Sequence, residues 1–136
     1  MNRRDFVLLT AAVTVAAPMA WAGPVVEYSP DLLAAELAAG KTVFLDFHAT
    51  WCSTCAAQVR VIEALKAENP AYAAAISFIN VDWDTWGTGE LVAQLNIPRR
   101  STLVVLKGDA ELGRVVAATG RGDIKALMDA ALASAA

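Results

Sequence analysis

A chain of 136 residues is long enough for one domain with a core of its own. It is 57% hydrophobic and 18% charged, with a formal charge of -3, and its basic residues are scattered apart from two Arg-Arg pairs, which argues against a nucleic-acid partner. Two cysteines three apart, Cys52 and Cys55, are too few for a disulfide scaffold.

Residues 1–22 read as an export signal. Arg3 and Arg4 form a basic start, Phe6 to Met19 is an apolar stretch, and Ala20-Trp21-Ala22 is an A-x-A cleavage site. The mature domain then covers 23–136 and is expected in the periplasm. Phe6 to Ala22 is 17 residues with Pro18 inside, short for a membrane span; an uncleaved anchor is the alternative. Arg3-Arg4-Asp5-Phe6-Val7 resembles the twin-arginine export motif, although its n-region is very short, and Sec export stays open. Removing Arg3, Arg4 and Asp5 leaves nine basic and thirteen acidic residues, so the mature domain is mildly acidic.

The mature domain alternates strand and helix signals. Val25 to Tyr28 reads as a short edge strand. Ser29-Pro30-Asp31 starts a helix that carries Leu32, Leu33 and Leu37 and stops at Gly40. Val43 to Phe47 reads as a buried strand. A long helix follows, with Val59, Ile62 and Leu65 on one face, ending at Asn69-Pro70. Ile76 to Val81 is the next strand, Asp82 to Gly89 a loop, and Glu90 to Leu95 a short helix. Thr102 to Leu106 is a very apolar strand, turned by Lys107-Gly108-Asp109 into a return strand over Leu112 to Ala118. Asp123 caps a last helix with Ile124, Leu127 and Met128 on its core face. The order implies an α/β fold, a mixed sheet of four to five strands flanked by helices. Helical crossovers imply parallel strands, and the tight turn implies a closing antiparallel hairpin.

The cysteines fall where the buried strand joins the long helix, at the helix's first turn. The first amides of a helix lack intrahelical partners and carry partial positive charge, so they stabilise a thiolate. A Cys-X-X-Cys pair placed there can attack a disulfide and then close on itself.

With Phe47, Ala49 and Trp51-Cys52-Ser53-Thr54-Cys55, this pattern resembles the thioredoxin family from about Val25 to the C-terminus. The resemblance implies a thioredoxin fold and dithiol-disulfide exchange. It makes Cys52 the attacking thiol and Cys55 the resolving one. Asp46 matches the family's buried acid behind the second cysteine, Trp51 the tryptophan shielding the site, and Gly120 a glycine near the substrate groove. An acid inside Val43-Phe44-Leu45-Asp46-Phe47 is costly to bury charged, so its pKa should rise. An acid titrating near neutrality suits a proton acceptor for the resolving thiol. The alternative is a solvated or capping acid at a strand end.

Departures from the family pattern are informative. The family has a cis-proline opposite the cysteines, just before an apolar strand. Counting back from Thr102-Leu103 puts Ser101 there, preceded by Arg100, while Pro98 lies three residues earlier. Either Ser101 has replaced the proline, which the T-L-x-x-x-K spacing favours, or Pro98 is the cis-proline and the chain bulges. With Ser101 in place, Arg100 either sits near Cys52 and favours its thiolate or belongs to a solvated Arg-Arg pair. His48 replaces the usual aromatic two residues after the acid, and either tunes the site's charge or is simply packed. Arg60 stands where many members have a helix-kinking proline, so the helix is expected to run straighter.

The function implied is an exported thiol-disulfide oxidoreductase that reduces protein disulfides and draws electrons from a membrane thiol carrier. Reduction is favoured by the signature; an Arg100 at the thiols shifts the balance toward oxidation or isomerisation. No cofactor is expected, and the protein is expected to be a monomer. Two other readings stand beside this. In the first, Cys52 and Cys55, without a shielding proline, hold a metal or iron-sulfur cluster, although a structural zinc site usually needs four protein ligands. In the second, the pair is a static disulfide of a binding protein, with Trp83 and Trp86 as an exposed docking surface or packed over the domain edge.

Overall fold

The computed structural model describes residues 25–135; the expected signal over 1–22 lies outside them. Along the chain run β1 (Val26–Glu27), α1 (Pro30–Ala38), β2 (Thr42–His48), α2 (Ser53–Glu68), α3 (Ala71–Ala75), β3 (Ile76–Asp82), α4 (Trp83–Trp86), α5 (Glu90–Leu95), β4 (Thr102–Lys107), β5 (Ala110–Val116) and α6 (Arg121–Ser134). The five strands form one sheet in the order β1-β3-β2-β4-β5.

β2 lies in the middle of this sheet, and the reason is its apolarity on both faces. A strand covered on both sides needs side chains that suit two cores. Val43, Leu45 and Phe47 point into one core with Leu33, Ile79, Val81, Leu91, Ile97, Val104 and Leu106. Phe44 points into the other, with Ile62, Leu65, Tyr72, Phe78, Leu103, Ile124 and Met128. α1 and α5 thus cover one face, and α2, α3 and α6 cover the other. Alternation along the strand puts Asp46 on the Phe44 face, beneath α2.

The first helix is built as expected. Ser29 Oγ accepts from Leu32 N at 3.1 Å, Pro30 is the first helical residue, and Gly40 turns the chain at φ 75°. α2 is unbroken for 16 residues, consistent with Arg60 in place of a kinking proline.

Five expectations need correction. The step from β3 to β4 is helical, yet β4 runs antiparallel to β2, while β2 and β3 are parallel. A seven-residue strand spans about 23 Å, but the six-residue α5 climbs only about 9 Å. The chain therefore never returns to the far end of the sheet, and β4 starts near where β3 stopped. Asn69-Pro70 ends α2 but also starts α3: Asn69 Oδ1 accepts from Ala71 N at 3.1 Å, and Tyr72 goes into the core. The segment read as a loop after Asp82 contains α4. Gly120, not Asp123, is the cap of α6; Asp123 lies in its first turn, where its charge still favours the helix. The return strand also lies two residues earlier than expected. It pairs with β4 through a bulge that skips Leu112, and it ends before Ala117, which is left-handed at φ 60°.

Candidate active site

The end of β2 and the start of α2 set the two thiols. Cys52 is the N-cap of α2, with extended backbone, and its Sγ accepts from Cys55 N at 3.2 Å. A sulfur thus occupies the position where a serine or aspartate oxygen normally satisfies a free helix amide. Cys55, one turn into the helix, is fully buried, and Cys52 is 5% exposed. Both are free thiols.

Ser101 lies opposite them. Its Oγ is 3.2 Å from Cys52 Sγ and 3.1 Å from Cys55 Sγ. The residue is fully buried and its backbone is left-handed, φ 64°. Its N–H donates to Phe47 O at 2.8 Å, and its carbonyl accepts from Ala117 N at 2.8 Å and from Gln58 Nε2 at 2.9 Å. Every described peptide bond is trans, including the one before Pro98. Of the two placements read from the sequence, it is Ser101 that faces the sulfurs.

Burial alone would raise the pKa of Cys52. The Cys55 thiol, the Ser101 hydroxyl, the Cys55 amide and the Arg100 side chain outweigh it and bring Cys52 down to about 7. Cys55 goes the other way: burial, then the neighbouring Cys52, hold its thiol up. The pair is therefore polarised, one thiol half-ionised at neutral pH and the other protonated.

Asp46 sits beneath this pair with 13% of its side chain exposed. Burial, and then the charge of Cys52, push its pKa up to about 7. Its Oδ1 has no hydrogen-bond partner, and its Oδ2 is 4.0 Å from His48 Nδ1. A cleft lined by Asp46, His48, Thr50, Val59, Glu63 and Asn80 adjoins this carboxyl.

Arg100 reaches the same rim. Its guanidinium lies over the Trp51 ring, 4.6 Å from the centroid. Trp51 is 58% exposed. Its indole N–H donates to Asp84 at 3.0 and 3.1 Å. Gly120 caps α6 two residues beyond Ala118 and does not need to be glycine: its φ is -67°, and a side-chain carbon there would meet only Asp123 Oδ2, at 3.7 Å.

Two residues of the site were missed from the sequence. Gln58 lies fully buried on the α2 face below Cys55, where its amide donates to Ser101 O and to Ala118 O, 3.0 Å. Its signal was weak: a glutamine one turn after Cys55, on an otherwise apolar face. Asp84 lay in the segment read as loop. Replacing Gln58 by leucine should cost about 2–4 kcal/mol in urea unfolding, because two buried carbonyls lose a donor. The variant should also loosen Ser101 and raise the Cys52 pKa, which thiolate absorbance would show.

The alternative readings meet less support. Trp83 packs against Ala49, Cys52 and Cys55, and Trp86 lies edge-on to Tyr28 with centroids 5.0 Å apart, so they are packed rather than presented as a docking surface. Among the described residues no group of three or more His, Cys, Asp or Glu side chains gathers as a metal ligand set.

A family model described as Thioredoxin matches residues 24–130. A thioredoxin from Echinococcus granulosus is 29% identical over 92 residues, covering 68% of this chain and 80% of that protein. The structure resembles Trxlp from Edwardsiella tarda, with TM-score 0.66 and 27% identity over 76% of this chain and 98% of that one. It also resembles the thioredoxin of Malassezia sympodialis, with TM-score 0.67 and 25% identity over 80% of this chain and 94% of that one.

Proposed function

This chain belongs to the thioredoxin family and carries its Cys-X-X-Cys pair at Cys52 and Cys55, and from that premise we propose that it is an exported reductase of protein disulfides. Cys52 thiolate attacks a substrate disulfide, forming a mixed disulfide and releasing one substrate thiolate. Cys55 then gives up its proton and attacks the Cys52 sulfur. The Cys52–Cys55 disulfide forms, the second substrate thiolate leaves, and two electrons have passed to the substrate.

The observation that carries this reading is the polarised pair under one hydroxyl. Cys52, at about 7, is a ready nucleophile at neutral pH. Cys55 stays protonated until the mixed disulfide removes the negative charge beside it. Asp46 is the proton acceptor for that step, through water from the cleft at its side. Trp51 and Arg100 border the substrate's approach, and Ser101 donates to whichever sulfur is charged.

A Cys52 value of about 7 matches the general level for reducing thioredoxins, about 7, and is far above the roughly 3.5 of a strong oxidant. Arg100 contributes least to that value, so its presence at the site does not by itself make an oxidant. Residues 1–22 support export to the periplasm. There a reductase needs electrons from outside the compartment, which a membrane thiol carrier would supply.

Cys52→Ala should abolish exchange, and Cys55→Ala should accumulate mixed disulfides, visible on non-reducing gels. Turnover by Cys52→Ala would sink the mechanism. The pair should titrate near the thioredoxin potential of about -270 mV against a dithiol buffer. A value toward about -120 mV would reverse the direction of flow.

A further inference from the structure

We infer that the site selects peptide disulfides with a carboxylate beside the attacked sulfur, read by Arg100 across the face of Trp51. The inference rests on Cys52 being the nucleophile.

Arg100 immediately precedes Ser101, whose hydroxyl touches both sulfurs, so its side chain starts at the lip of the reactive pair. The guanidinium is laid on the Trp51 ring at 4.6 Å. Trp51 is itself fixed by Asp84, through both carboxylate oxygens. The contact with the ring steadies the cation and leaves its terminal N–H groups for a ligand. Arg100 Nε is buried and has no hydrogen-bond partner. Arg99 stands beside it and spends its Nε on Arg100 O at 3.0 Å. Among the described residues neither arginine forms a salt bridge, although five other lysines and arginines do. Asp84, the acid that reaches this rim, is already engaged by the indole. Arg100 thus stands beside the reactive pair with no ion-pair partner, on a domain that is acidic overall.

A cation that served only the thiolate would need no fixed plane. Arg100 is the weakest of the hydrogen-bonding influences on Cys52, behind Cys55 and Ser101. A planar guanidinium suits a carboxylate, which its terminal nitrogens bind through two parallel hydrogen bonds. The occupant is a glutamate or aspartate side chain next to the cystine of an extended substrate segment. The chemistry is unchanged: Cys52 S⁻ forms the new S–S bond, the substrate's other sulfur leaves as thiolate, and Cys55 completes the two-electron transfer.

The test uses two disulfide peptides that differ only in Glu or Gln beside the attacked cysteine, reduced by the pre-reduced protein under second-order conditions. At low salt the Glu peptide should react about tenfold faster, the weight of one partly screened charge pair, and the ratio should shrink as salt rises. In Arg100→Gln the ratio should fall to about one, and Arg100→Lys should restore part of it. A change in Cys52 thiolate content alters both peptide rates alike, so the ratio isolates recognition. Equal rates in the native protein, or a preference that survives Arg100→Gln, would overturn the inference. Glutathione disulfide against hydroxyethyl disulfide separates the source of the carboxylate: a preference there without one among the peptides assigns the arginine to a small acidic thiol and overturns the peptide assignment. Failure to reduce either peptide, with Cys52 unreactive, strikes at the oxidoreductase reading instead.

Discussion

Asp46→Asn should make the reduced protein about 3–4 kcal/mol more stable at pH 8 and change its stability little at pH 4. The sign follows from proton binding. Asp46 has its pKa raised from 3.8 to about 7 by burial first and the Cys52 charge second. Between those values the folded state holds a proton that the unfolded chain has lost. Stability therefore falls as pH rises from about 4 to about 7, and the deficit is fully developed above that. At about 1.4 kcal/mol per pKa unit, the gap amounts to roughly 4 kcal/mol. Cys52 works the other way. Its lowered pKa adds stability as pH rises through the interval from about 7 to 9. The comparison must therefore be variant minus native at each pH, from urea unfolding of the dithiol form. The same change should slow resolution of the mixed disulfide, because Cys55 loses its proton acceptor. A variant no more stable at pH 8 than the native protein would mean that Asp46 is solvated. The stabilised but slower protein is the expected signature of an acid kept for its chemistry.

Ser101→Pro should destabilise the protein by at least about 3 kcal/mol, although it brings the chain closer to the family's usual residue. Proline requires φ near -65°, and Ser101 has 64°. Proline also lacks the N–H that now donates to Phe47 O at 2.8 Å. Lost hydrogen bond and wrong dihedral act together, each a recognised route to a large effect. Ser101→Ala keeps the backbone bonds and removes only the hydroxyl. It should raise the Cys52 pKa by about one unit, the weight of a hydrogen bond to an anion, read as thiolate absorbance against pH. A nearly unchanged stability in Ser101→Pro would show that the loop has room to adopt the family conformation.

Much of this was legible because the local chemistry is strong. An apolar strand, two cysteines three apart and an amphipathic helix leave few ways to place the thiols, and Cys52 is indeed the helix cap. Counting back from the apolar Thr102–Leu106 run put Ser101 opposite them, since strand register transmits position over several residues. What stayed hidden depends on contacts across the chain. Gln58 is polar on a helix face for the sake of carbonyls 43 and 60 residues away. Asp84 matters only once Trp51 is beside it. The direction of β4 depends on how far α4 and α5 carry the chain, which their lengths settle and hydrophobic periodicity does not. The positive φ of Ser101 had no sequence signal, since serine is not a residue that marks left-handed backbone.

The contact between Ser101 and the sulfurs spans 46 and 49 residues of sequence. It cannot form until β4 has docked on β2, because Ser101 is held by Phe47 at that seam. Non-local pairings of this kind tend to close late in folding. An unfinished chain therefore lacks the Ser101 contribution to the Cys52 thiolate, while the contribution of Cys55 is already available in the first turn of α2. The full tuning of the nucleophile is reached only when β4 has docked on β2. Alkylation speed at Cys52, followed during refolding, would then serve as a clock for the moment at which the sheet closes.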